Sequence, residues 1–173
     1  MSNETAATQS ECAMPVPGAE HERLRPFVGK FRAEVKIWMG PGEPMISTGT
    51  MNNTFELSGL YLQQDYVGDS SQGLYSGFEG KGFWGYNATQ KRYEGFWIDN
   101  ASTTMQFEHG DVDASGKVWE MKGEMVCPQS RQPFTKRSVI TLIDDDTNRI
   151  EMYFTGPDGN EMKCMEINYS RIA

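Results

Sequence analysis

From Phe31 to the C-terminus, hydrophobic residues recur at every second position, in short runs separated by turn residues. Side chains of a β-strand alternate between two faces, so a period of two marks a strand with one buried side and one wet side. Phe31, Ala33, Val35 and Ile37 alternate with Arg32, Glu34 and Lys36. Trp119, Met121, Gly123 and Met125 alternate with Val118, Glu120, Lys122 and Glu124. Ile150, Met152 and Phe154 form a third such run, and Met165, Ile167 and Tyr169 a fourth. Between the runs stand turn signals: Gly40-Pro41-Gly42, Ser58-Gly59, Gly68-Asp69, Asn87-Ala88, Asp99-Asn100, Ser115-Gly116, Asp144 to Asp146, and Gly156-Pro157-Asp158-Gly159. The pattern predicts about ten strands, near 31–38, 46–57, 60–67, 76–86, 91–98, 103–112, 117–125, 134–143, 149–155 and 161–171. No segment between them has the length of a helical crossover, so the pairing is expected to be antiparallel. An open sheet of so many strands would leave long edges, and closure removes them. The expected fold is therefore all-β, an up-and-down antiparallel barrel of about ten strands. A two-sheet sandwich is the alternative.

The chain has 173 residues, which suits one domain. Residues 1–18 are small, polar and proline-containing and are expected to form a flexible arm; 19–173 are expected to be a single barrel domain. His21, Leu24, Phe27 and Val28 share one face of a short helix. Pro26 keeps that helix short, and Gly29 can supply the left-handed residue that stops it. A net charge of −8 disfavours nucleic acid and anionic membrane surfaces as partners. No run of 18 apolar residues spans a bilayer, and the first twenty residues lack the basic and apolar regions of a secretory signal. Cys12, Cys127 and Cys164 lie far apart, with no CxxC pair or metal spacing, and read as reduced thiols in a cytoplasm.

The segment Leu24-x-x-Phe27-Val28-Gly29-x-Phe31 resembles the opening of calycin-type barrels, where a short helix leads to Gly-x-Trp on the first strand; Phe31 stands here in the Trp position. The resemblance implies barrel closure by Arg171, on the last strand, stacked across that ring. A guanidinium over a ring face is worth about 0.5–2 kcal/mol. Further segments resemble a bacterial family of uncharacterised proteins, domain-of-unknown-function family 1579, over roughly residues 20–173. They are Met45 to Thr50, Gly80 to Asn87, Trp97 to Thr103 and Glu151 to Gly159. That resemblance implies a lipocalin-like barrel and no particular activity.

Candidate site residues follow from strand phase. Trp84 and Tyr86 share a face with Gly80 and Gly82; Trp97 shares one with Tyr93, Gly95 and Asp99; Met105 and Phe107 share one with His109. With Trp119, Met121 and Met152, these residues can line a cavity whose soft, aromatic walls suit an apolar ligand, the glycines leaving room. The alternative is a packed core. Asp99 can fix a ligand's polar end or act as a base, or it can be a turn residue. His109 can be a general base, an axial haem ligand, or a hydrogen-bonded wall residue. Arg137, in phase with Val139, Thr141 and Ile143, can hold a carboxylate, as can Tyr169 with Arg171. No phosphate loop, EF-hand, zinc spacing or nucleophile elbow is present in the sequence, so no metal or cofactor is expected. The expected function is binding of a small, largely apolar ligand. The alternatives are a small enzyme using Asp99 and His109, a haem barrel, or a ligand-free assembly module, and a homodimer is compatible with the sequence.

Overall fold

A helical turn, α1 (Ala19–Glu22), and a 3-10 turn (Arg25–Phe27) open the folded chain. The computed structural model describes residues 14–69, 76–127 and 130–172. Pro26 sits inside the 3-10 turn, and Gly29 follows with φ +122°, a backbone setting that disfavours side chains. Ten strands follow: β1 (Gly29–Ile37), β2 (Met45–Glu56), β3 (Tyr61–Gly68), β4 (Glu79–Asn87), β5 (Arg92–Asp99), β6 (Gln106–Val112), β7 (Val118–Val126), β8 (Pro133–Leu142), β9 (Thr147–Thr155) and β10 (Glu161–Arg171). Each pairs antiparallel with its neighbours in sequence, and β1 pairs with β10 as well, which closes the barrel. The sandwich alternative is thereby excluded.

Strand starts differ from expectation by up to three residues, for local reasons. β4 begins at Glu79 because Gly77, with φ +66°, still belongs to a turn whose carbonyl accepts from Asn100 Nδ2 at 2.7 Å. β6 begins at Gln106 because the Ser102 hydroxyl draws the Thr104 amide into a local turn at 3.3 Å. The expected arm falls mostly on residues 1–13, which, like Cys12, lie outside the described residues.

Alternate strand ends make the two mouths of such a barrel. One is stoppered by the helical opening. Leu24 and Phe27 are fully or almost fully buried and pack with Leu62, Trp84, Tyr93, Trp119, Met121 and Ile140. Polar side chains from three strands satisfy the stopper's leftover carbonyls. Asn53 Nδ2 donates to Phe27 O (2.8 Å), Tyr93 Oη to Glu20 O (3.0 Å), and Arg171 to Pro26 O and Val28 O (2.8 Å each). A second apolar cluster, with Phe31, Val35, Met51, Tyr66, Ile167 and Tyr169, lines the barrel beyond it. No helix among the described residues is long and apolar enough to cross a membrane.

On the outer surface of β1, β9 and β10, Lys163 donates to Glu151 and Glu166, and Lys36 approaches Glu166 at 3.5 Å. Lys163, followed by Asn168, holds the Glu166 carboxyl at about 2, against an ordinary value of 4.5. A folded value below the unfolded one stabilises the protein fully above about pH 4.5, and that stability is lost as pH falls toward about 2. Solvent screening reduces the contribution to about 1 kcal/mol. Urea unfolding of wild type and Glu166→Gln at a series of pH values should show the wild type losing about 1 kcal/mol more between pH 5 and pH 2. Parallel curves would remove this cluster from the acid response.

Candidate functional site

Inside the barrel lies a cavity of about 390 Å³. Phe27 and Trp84 border it on the stoppered side, and Val35, Met51, Ile150, Met152, Ile167 and Tyr169 form apolar walls. Two large rings lie against the sheet where glycines leave the wall bare. A Cβ on Gly80 or Gly82 would collide with the Trp97 indole, and one on Gly49 would collide with the Tyr66 ring. The glycines thus make room indirectly, by letting rings fold onto the wall instead of projecting inward. Trp97 is held there by Asp99, whose Oδ2 accepts from its Nε1 at 3.1 Å. Gly80→Ala is expected to leave the fold intact, because only the far edge of a side chain must move. It should turn Trp97 off the wall, shift its fluorescence and weaken binding of any cavity ligand at least fivefold. Unchanged emission and affinity would show that the glycine bed does not set the cavity's width.

Polar groups reach the cavity from several strands, and a hydrogen-bonded set of them lies on β6 and β8. Lys136 is 4% exposed, Ser138 is 2% exposed, and Gln106 and Glu108 complete the set. Lys136 Nζ donates to Gln106 Oε1 at 3.1 Å and lies 3.4 Å from Glu108 Oε1, which also accepts from Ser138 Oγ at 2.7 Å. β7 stands between these strands, and the side chains meet over Gly123. That residue pairs with Lys136, and its missing Cβ would lie 3.2 Å from Glu108 Cγ. Tyr66 and Tyr169 add two phenols that burial pushes up, above their ordinary range of ionisation.

The candidate residues divide into three groups. Trp84, Trp97, Asp99, Met121 and Met152 line the cavity. Tyr86 and Trp119 do not: Trp119 is fully buried beside Phe27, and Tyr86 packs on Tyr93 and His21, so both belong to the stopper's aromatic cluster. Met105, Phe107, His109 and Arg137 face away from the interior. Met105 and Phe107 are 62% and 63% exposed, and His109 is exposed as well. β6 turns Gln106, Glu108, Gly110 and Val112 inward, so its hydrophobic phase is inverted. Phe107 instead stacks on the outer face against Phe96, which packs on Phe83. On β8 the inward residues are Lys136, Ser138 and Ile140; Arg137 lies outside, over the Tyr153 ring at 4.3 Å, with two bonds of 2.7 Å to Glu161.

These placements correct three expectations. His109 cannot share acid–base work with Asp99 inside the barrel, nor can it ligate a haem held there, because it stands on the opposite face of the sheet. Asp99 lines the cavity but serves the turn and its neighbour: Oδ1 accepts from the Ala101 amide at 3.0 Å, as the turn reading has it, and Oδ2 is taken up by Trp97 Nε1 rather than left for a ligand. An interior arginine for a ligand carboxylate is absent among the lining residues. Arg171 lies 4.5 Å over the Phe31 ring, opposite it in the β1–β10 register. Its guanidinium is committed to the stopper's carbonyls. Lys136, Glu108, Gln106, Ser138 and Asn53 were not legible as site residues, since polar positions in an alternating strand read as outward. Gly110 and Gly123, isolated glycines inside strands, were the available signal.

The family model described as "Protein of unknown function (DUF1579)" matches residues 16–171. The chain belongs to the DUF1579 family. Among solved structures, this DUF1579 barrel is similar to Rv2717c from M. tuberculosis, with a TM-score of 0.63 and 11% identity over 90% of this chain and 99% of that one. At that identity the likeness bears on the fold alone. A redesigned β barrel aligns with a TM-score of 0.45 and 13% identity, over 92% of this chain and 100% of that one. No curated protein matches the chain.

Proposed function

We propose that this DUF1579 protein binds a small, largely apolar molecule inside its barrel. The observation that supports the reading is the cavity itself: about 390 Å³, walled mainly by rings and aliphatic groups, with polar side chains set among them. Ligand sites commonly have volumes of about 300–1,000 Å³ and a predominantly apolar wall with placed polar groups. Trp84 and Trp97 lie on the wall, so occupancy should be visible in their fluorescence. Native mass spectrometry of freshly purified protein, with fluorescence titration against lipids, small aromatics and haem, tests the reading. A co-purifying molecule or a saturable emission change from an apolar compound is expected. No added mass and a flat response across the whole panel would end it.

A further inference from the structure

The charged groups of the cavity are already engaged. Lys136 and Glu108 lie 3.4 Å apart, Gln106 and Ser138 bond to them, and Asp99 takes the Trp97 indole N–H. Two phenols are not engaged. Tyr66 and Tyr169 line the cavity and are 7% and 5% exposed. Neither hydroxyl makes a hydrogen bond among the described residues. Neither is sealed in the wall: among the described residues, the unbonded side-chain atoms that lack accessible surface are Asn53 Oδ1, Trp84 Nε1 and Trp119 Nε1. The two phenol oxygens thus keep open surface, and the space their residues border is the cavity. Buried polar groups in native proteins are nearly always bonded, so two that are open and unbonded mark a place for a partner.

Strand register brings both phenols to one strip of wall. Tyr169 is opposite Ala33, and Ala33 is opposite Gly49. The Tyr66 ring crosses onto that strip from β3, since a Cβ on Gly49 would collide with its Oη. Between the two stand the Ala33 methyl group and the bare Gly49, and neither of these residues reaches the cavity. Burial pushes both phenols up, and the neighbouring Tyr66 adds to the rise at Tyr169, so both keep their protons and remain donors. Two donors on one strip are answered by an oxygen that has two lone pairs and no proton of its own, as in a carbonyl group.

We infer that the cavity takes a largely apolar molecule bearing a carbonyl oxygen, and that Tyr66 and Tyr169 donate to that oxygen. The inference rests on the ligand-binding reading above and names the class of ligand. Isothermal titration of the full-length protein with butyrophenone, 4-phenylbutyrate and butylbenzene tests it. Butyrophenone and butylbenzene differ by the carbonyl alone, and 4-phenylbutyrate offers the same kind of oxygen on a carboxylate. Wild type should bind at least one of the two carbonyl compounds tenfold more tightly than butylbenzene, and which one it prefers tells a ketone from a carboxylate. Tyr66→Phe and Tyr169→Phe should each weaken that compound at least threefold and change butylbenzene less than twofold. Both variants should unfold in urea at or above the wild-type midpoint, because the hydroxyl removed has no partner in the protein to lose. Equal binding of all three compounds to wild type, or a carbonyl preference that both variants retain, overturns the phenol pair and leaves the binding reading standing. Failure of all three to bind overturns the inference together with the reading beneath it.

Discussion

Trp119→Ala is expected to lower the unfolding free energy by about 3–5 kcal/mol, because it empties the site of the largest fully buried side chain among the described residues. Trp119 is fully buried, and it lies at the meeting point of the stopper and the sheet. Its ring is 5.3 Å from Phe27, 5.5 Å from Trp84 and 6.0 Å from Tyr93, three residues carried by the 3-10 turn, β4 and β5. Truncation would remove the transfer energy of an indole and leave a void that these rigid neighbours cannot close. The void would also open beside the barrel's cavity, through Phe27 and Trp84. Urea denaturation with an unchanged m-value would report the loss directly. Trp119→Phe should recover a good part of it, because edge-to-face contacts with Phe27 and Trp84 survive. A loss below about 1 kcal/mol for Trp119→Ala would mean that the stopper does not depend on this cluster.

The contrast between β1 and β6 shows what an alternating pattern encodes. On β1, Phe31, Ala33, Val35 and Ile37 face inward as the sequence implies, because the interior there is apolar and the outer surface is wet. On β6 both premises fail. The interior opposite it holds Lys136 and Ser138, which call for Gln106 and Glu108; the exterior holds Phe83 and Phe96, which give Phe107 a partner outside. Hydrophobic phase reports which neighbour a residue has, and only in an ordinary core does that coincide with inside and outside. Arg137 and Lys136 are adjacent cations, and the sequence offers no local reason why the lysine enters and the arginine does not. The reason lies in β7, where Gly123 clears the path from Glu108 to Lys136, and in Glu161 and Tyr153, which hold Arg137 outside. Closure was more legible. The number of strands, their antiparallel order and the location of the stopper all follow from local signals: turns, periodicity and a helix stopped at a glycine.

Arg171→Ala is the second large effect, at about 2–4 kcal/mol, and it should loosen the stopper before the rest of the barrel. The guanidinium donates to Pro26 O, Val28 O and Asp145 O at 2.8 Å each, contacts Asp146 Oδ1 at 3.1 Å, and covers the Phe31 ring. One planar fork thus joins the helical opening, the β8–β9 turn, β1 and β10. Gly29 is part of the same device, since a Cβ there would meet the arginine Nη1. Removal leaves carbonyls of the stopper without their donor, and water can replace only part of that, because the arginine side chain is 30% exposed. Lysine would not substitute: its single ammonium cannot reach three carbonyls in one plane or stack on the ring. Arg171→Met separates the two contributions, keeping an apolar cover over Phe31 while losing every hydrogen bond. Hydrogen exchange gives the decisive measurement. The Leu24, Phe27 and Val28 amides, bonded to His21 O, Leu24 O and Arg25 O, should exchange at least tenfold faster in Arg171→Ala, with Arg171→Met close behind, while amides of β7 and β8 keep their protection. Uniform acceleration over all strands would make Arg171 a global brace, and unchanged exchange at the stopper would show that Asn53 and Tyr93 hold it without the arginine.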